Sequence, residues 1–298
     1  MDVGSGLMRF SLGGDPGFAP NSLTDSPHYV HCAPGSGASG RVLRISAHTA
    51  DSVDVVATET EAGGLVAGNS VSILPAWTLR TLFPPGTQGT LHVSGSRLLA
   101  DRGSELLFFD DVTDGKSLAP RRRFFLTAAG WFEAGTYQPA GNTPILPGQP
   151  FLIRHRAGSA ATTFVAHQQI FGGPVVVRLR RQTAGEQDTM TAPARPVPVK
   201  LRELGLGAEV FEVSASTASV DRKDQLLLFD SAEAGVNKLP SITYFRTPTG
   251  WVRDGPGFPM ADDDLVAPYS GLLIRKAAGS DNTGVTWLNL PNYNGTAP

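Results

Sequence analysis

The stretch Pro-His-Tyr-Val-His-Cys, residues 27–32, holds two imidazoles and the only thiol of the chain. His28, His31 and Cys32 are ligand types that zinc takes, but a tetrahedral site needs a fourth, and no second cluster of matching spacing occurs. On a strand, His28 and Cys32 share one face while His31 points to the other. Ordinary strand residues are the stronger reading, and no metal is assigned.

Carboxylates gather at "DDVTDG" (110–115) and "ADDDL" (261–265). Calcium favours such oxygen-rich loops, yet the spacing that ends in a bidentate Glu is missing, and Asp is a common turn residue. Asp110 and Asp230 stand at matching places, and a carboxylate pair can hydrolyse a glycoside. They belong to two separate segments, so nothing in the sequence sets them across one cleft. No G-x-S-x-G nucleophile turn and no phosphate-cradling Gly-rich loop is found, so no catalytic residue and no cofactor is assigned. The basic runs "RRR" (121–123) and "RLRR" (178–181) lack the surrounding positive charge that a nucleic-acid surface needs. Trp131 and Trp251 could stack on sugars as an aromatic platform, although core packing is the commoner use of such rings.

The elements that would position these residues are spelled twice. "ELLFFD" (105–110) returns as "QLLLFD" (225–230), with Phe109 and Phe229 separated by 229 − 109 = 120 residues. Asp101-Arg102 answers Asp221-Arg222, and Gly130-Trp131 answers Gly250-Trp251, at the same offset. "FLIRHRAGS" (151–159) answers "LLIRKAAGS" (272–280) at offset 121, and Leu79-Arg80 answers Leu201-Arg202 at 122. The drift falls in Gly- and Pro-bearing stretches, where loops accept length changes. We read a tandem duplication. Each unit runs through a Leu-rich helical stub, a short strand, an apolar strand covered on both faces, a Gly-Trp hairpin and two closing strands. A Gly ending each hairpin loop supplies a positive φ.

The chain has 298 residues, 41% of them hydrophobic, 17% charged, and a formal net charge of −2. That suffices for real cores and gives no general electrostatic attraction to nucleic acid or anionic membrane. One cysteine precludes an intramolecular disulfide. No apolar run approaches a membrane span, and no basic region followed by an apolar run marks a signal peptide. An exported mature form and a cytoplasmic chain both fit.

The sequence therefore predicts an all-β fold: two tandem homologous barrel- or sandwich-like repeats of about 95 residues, preceded by a small β unit. The expected divisions are 1–75, 76–172 (first repeat), 173–195 (linker with one strand), 196–291 (second repeat) and a tail, 292–298. "APARPVPV" (192–199) reads as a stiff extended connector.

The order "GNSVSILPAWTLRTLFP", "LLFFD…GW…LPGQPFLIRH", "EQDTMTAPARPVPVKL", "LLLFD…GW…GLLIRK" resembles an uncharacterised family of exported verrucomicrobial proteins, over residues 27–290 or so. The resemblance implies export and a β-rich fold and supplies no catalytic residue. Family members look like precursors with a signal peptide and a longer N-terminal part, whereas "MRFSLGGDPGFAPNSL" is short. What recurs in both repeats is framework, which favours a non-enzymatic structural subunit that associates with itself, as a filament or other polymer. Leu7, Met8, Arg9, Phe10, Ser11 and Leu12, with Gly on both sides, could donate an edge strand to a neighbour. A module binding a surface glycan or another ligand is the alternative, and a hydrolase the third.

Overall fold

The computed structural model describes residues 2–4, 6–57, 63–109, 113–165, 172–230, 232, 235, 238–268 and 270–290. The fold is all-β, with strands throughout and helices of a single turn. Contacts group the chain into two compact units. Unit 1 takes 1–108, 122–147 and 152–169; unit 2 takes 109–121, 148–151 and 170–298.

Unit 1 begins with a six-stranded sheet. Its strands are β1 (Asp2–Gly4), β2 (Leu7–Ser11), β3 (His28–Cys32), β4 (Val42–His48), β5 (Ser52–Val56) and β6 (Val71–Pro75), in the order β1-β2-β5-β4-β3-β6. The alternating stretch "VLRISAHTADSVDVV" (42–56) reads as two strands turning at "HTAD", and these are the hairpin β4–β5, with an irregularity between Ile45 and Ala47. A one-turn helix, α1 (Ser22–Asp25), gives Leu23 to the same core as Val30, Ile45, Val53 and Val55. The expected donor segment lies inside this sheet, which corrects that expectation. β2 pairs with β5 from Leu7↔Val56 to Ser11↔Ser52 and with β1 on its other side. Met8, Phe10 and Leu12 pack on the sheet's own core, and Arg9 grips Asp54 through two bonds of 2.6 and 2.7 Å. Bonded to β5 along its whole length and to β1 at Leu7 and Met8, with its apolar side chains on the core, β2 is a strand of its own sheet and not a free arm.

The first of the two similar segments follows. β7 (Trp77–Thr78) leads into α2 (Leu79–Leu82), whose start is fixed by reciprocal bonds between Thr78 and Thr81; such a box satisfies two orphan N–H groups at a helix start. Then come β8 (Ser104–Phe108), β9 (Arg122–Thr127), β10 (Gly130–Glu133), β11 (Pro144–Ile145) and β12 (Phe151–His155). β11 pairs with β7, and the sheet order is β10-β9-β8-β12. All five residues of β8 are buried, as a consecutively apolar strand requires.

The stretch read as a linker is two strands, β13 (Val175–Arg180) and β14 (Gln187–Thr191), both in unit 2. After them come β15 (Val199–Lys200), a single 3-10 turn (Leu201–Glu203), β16 (Gln225–Leu228), β17 (Ile242–Thr247), β18 (Gly250–Arg253), β19 (Leu265–Val266), β20 (Leu272–Lys276) and β21 (Gly284–Asn289). β19 pairs with β15, and the sheet order is β14-β20-β16-β17-β18. From β7 to β12 and from β15 to β20 the two segments lay out matching strands with matching neighbours; among the described residues β13, β14 and β21 have no counterpart in the first segment, and the short strand expected before β8 and before β16 is not formed in either. β13 and β21 form a ribbon whose Leu179 and Trp287 join the core of that sheet. The Pro-rich connector is anchored: buried Arg195 donates two bonds to Asn289 Oδ1, at 3.0 and 2.8 Å, and Asn289 donates back to the Pro193 carbonyl.

Smaller details also correspond. In the first segment Ser94 accepts from Gly103 N–H, and Ser96 bonds both Asp101 and Leu98 N–H. In the second, Ser214 accepts from Lys223 N–H, and Ser216 bonds Asp221 and Ala218 N–H. Arg102 lies 4.5 Å over the Phe125 ring, and Arg222 lies 4.0 Å over Phe245. The hairpin glycines Gly130 and Gly250 have φ of 117° and 134°, which side chains rarely adopt.

Candidate functional site

Each segment holds a polar pair, wholly or partly buried, at matching positions. In the second segment Asp224 and Lys276 form an ion pair with no solvent exposure at either side chain. Asp224 also accepts from Glu212 N–H (2.6 Å) and Ala277 N–H (2.9 Å), and Lys276 donates to the Val210 carbonyl (2.6 Å). Burial lowers the Lys276 pKa, against the opposing pull of Asp224. Both charges are therefore paired and further bonded to backbone inside the fold, which is what a buried charge requires.

The matching positions of the first segment are Ser104 and His155. Ser104 Oγ accepts from His92 N–H at 2.8 Å and lies 2.8 Å from His155 Nδ1; His155 Nε2 lies 3.0 Å from Thr162 Oγ1. A serine against an imidazole suggests nucleophile activation. Two facts oppose it. The group behind the imidazole is a hydroxyl, not a carboxylate that would orient and stabilise an imidazolium. Ser104 is also buried, its oxygen already bonded to backbone. The Ser104–His155 pair does for the first segment what Asp224–Lys276 does for the second: it ties the start of β8 to the end of β12.

Burial, and secondarily His92, lower the His155 pKa. The unfolded chain therefore takes up this proton first, from about pH 6.5 downward. Its contribution leaves stability intact above that pH and erodes it as the pH falls toward the lower folded-state value. Urea titrations of wild type and His155→Gln across pH 5–8 are expected to diverge in slope below about 6.5. Parallel curves throughout would disprove the assignment.

A cleft of about 250 Å³ opens over the ends of β8 and β12, lined by Leu99, Arg102, Glu105, Arg154, His155 and Arg156 among others. Glu105 is shared: Arg102 Nη1 donates to Oε1 at 2.8 Å, and Arg154 Nε donates to Oε2 at 3.1 Å. Burial pushes the Glu105 carboxyl up, but Arg154 and Arg102 together hold it below the usual range. In the second segment Arg222 has Asp254 (2.8 Å), and Arg275 has both oxygens of Asp188 on β14 (2.8 and 3.0 Å).

The residues singled out from sequence mostly serve the framework. Trp131 and Trp251 are each only 3% exposed. Trp131 Nε1 donates to the Phe83 carbonyl (3.1 Å), and Trp251 packs 4.9 Å from Phe211. Neither can present a face to a sugar, so the platform reading of both is corrected. Cys32 is buried, its thiol pushed up to about 11 by burial, and no group able to hold a metal is found among the described residues. His31 is buried and His28 bonds the Ser26 carbonyl.

Asp262 accepts from Trp251 N–H, Asp263 pairs with Lys200 and Arg202, and Asp264 accepts from Tyr244. Asp230 accepts from Ala232 N–H as a turn residue, while Asp110 lies outside the described residues. Arg122 pairs with Glu133, Arg180 with Asp114 and Arg181 with Glu212, so three of the six arginines in the basic runs are held in ion pairs. No helix among the described residues is long and apolar enough to cross a membrane.

No family model, no curated protein and no solved structure matches the chain. The roles of Ser104, His155, Asp224 and Lys276 were not singled out from sequence, although a signal existed. Aligned at offsets 120 and 121, the positions change together, from Ser with His to Asp with Lys.

Proposed function

We propose that this protein is a non-enzymatic, exported subunit of a surface or extracellular structure, and that it associates with further copies of itself. Export rests on the family resemblance. The observation that carries self-association is a pair of equivalent apolar turns. The 3-10 turn Leu99–Asp101 holds out Leu98 and Leu99, at 67% and 68% exposure, and its counterpart Ser219–Asp221 holds out Val220 at 89%. Each turn is pinned by its Ser–Asp bond, Ser96–Asp101 or Ser216–Asp221, both 2.6 Å. A rigid exposed apolar group costs little entropy when it is buried by a partner. Single exposed apolar residues are common, but the two turns themselves stand at matching places and each holds one out, Val220 at the place of Ala100 beside Leu98 and Leu99, which is a reason to test these.

The test is sedimentation velocity and electron microscopy over a concentration series. Wild type is expected to form larger species as concentration rises, and Leu98→Asp combined with Leu99→Asp to remain monomeric with unchanged unfolding. A wild-type protein that stays monomeric at every concentration refutes the proposal.

A further inference from the structure

β12 (FLIRH) and β20 (LLIRK) are close to the same strand, yet only β20 is covered on its outer side. There β14 pairs with it from Gln187↔Lys276 through Asp188↔Arg275 and Thr189↔Ile274 to Thr191↔Leu272. Among the described residues β12 ends its sheet, with β8 on its inner side and no strand on its outer side. Arg156 N–H bonds the Gly103 carbonyl at 2.8 Å, so residue 156 faces inward along the β8 ladder. Alternation then turns the N–H and C=O of Ile153 and His155 outward.

Charge points the same way. In the second segment two guanidiniums, Arg222 and Arg275, have a carboxylate each, and that of Arg275 comes from the added strand. In the first segment Arg102 and Arg154 share the single carboxylate of Glu105, and exposed Arg156 adds a third positive charge to the same cleft. The set has three arginines and one glutamate, a formal excess of 3 − 1 = 2 positive charges.

We infer that the outer edge of β12 binds an extended acidic peptide segment, as an added strand whose carboxylates meet Arg154 and Arg156. The pairing of β14 with β20 supplies the register. Carried over by the offset of 121, it sets Asp188 of a β14-like strand opposite Arg154, Thr189 opposite Ile153, and Glu186 opposite Arg156. The counterpart of Arg156 in the second segment is Ala277, and there Glu186 pairs elsewhere, with Lys116. The first segment therefore has the additional cation where a second acidic side chain would arrive. Backbone bonding supplies affinity and the arginines supply selectivity, as in strand addition generally. This goes beyond self-association and names a ligand chemistry that does not depend on it.

The test uses the full chain and a labelled peptide of residues 185–191, Gly-Glu-Gln-Asp-Thr-Met-Thr, followed by fluorescence anisotropy at low salt. The protein is held at a concentration where sedimentation shows no association, so that failure of this inference and failure of self-association are read separately. Saturable binding is expected. It should weaken at least tenfold with Arg156→Gln, an exposed position that leaves folding intact, and further with Arg154→Gln. A peptide with Pro in place of Thr189, which lacks the ladder N–H, should also bind at least tenfold more weakly. No saturable binding up to millimolar peptide overturns the inference. Equal binding of the Pro peptide, or of one with both carboxylates made amides, overturns it too, because either outcome means attraction without strand addition or without carboxylate recognition. Binding lost on Arg275→Gln but kept on Arg154→Gln and Arg156→Gln would mean exchange with β14 and would equally overturn it.

Discussion

Replacing Asp224 with Ala is expected to lower the unfolding free energy by about 3–5 kcal/mol, because it strands an ammonium with no solvent access. The variant also deprives the N–H groups of Glu212 and Ala277 of their acceptor. Lys276 keeps only the Val210 carbonyl, too little to hold a charge in the interior. The informative companion is the double variant Asp224→Ser with Lys276→His. It carries the Ser104–His155 pair of the first segment into the second and should recover most of the loss, since the new pair is neutral and bonded internally. Urea unfolding of the three proteins decides the matter. A single variant within about 1 kcal/mol of wild type would mean that the ion pair is not a tie of the fold.

Trp251→Ala is expected to cost a similar amount, about 3–5 kcal/mol, through lost burial and the cavity left behind. The ring packs on Phe211, and the Arg246 guanidinium stands 5.8 Å from its centroid. Acrylamide should quench Trp131, Trp251 and Trp287 poorly in the native protein, since all three are buried. Strong native quenching, or a Trp251→Ala protein of unchanged stability, would restore these rings as candidates for ligand contact.

Much of the fold was legible because strands announce themselves locally. The apolar run that becomes β8, the "HTAD" hairpin of β4 and β5, and the glycines at 130 and 250 follow from period, turn chemistry and backbone freedom. The roles that depend on tertiary partners were not legible. Whether Leu7–Leu12 is tethered or internal is decided by β5, more than forty positions later. "EQDT" reads as polar loop because its strand character comes from pairing with β20, and Asp188 is made acceptable inside by Arg275. Trp131 and Trp251 illustrate the limit at the site: an aromatic at a hairpin return reads alike for core and platform until the residues above it are placed. Ser104 and His155 are 51 positions apart, and no local pattern joins them.

The division of the chain has a consequence in time. Residues 109–121 lie between two strands of unit 1 but belong to unit 2. There Gly115 donates to Gln187 and accepts from Asp188, and Ser117 N–H donates to Asp188. A ribosome releases Gly115 some 72 residues before Gln187 exists. Until then Gly115 and Ser117 lack the Gln187 and Asp188 groups that hold them in the finished fold. Unit 1 can mature early only with this open loop, and unit 2 cannot close until it reaches back for a piece made long before. Such late long-range closure is intrinsically slow. Completion of unit 2 is thereby tied to the synthesis of all the chain between Gly115 and Gln187, so a truncation anywhere in that stretch leaves both Gly115 and Ser117 without these partners.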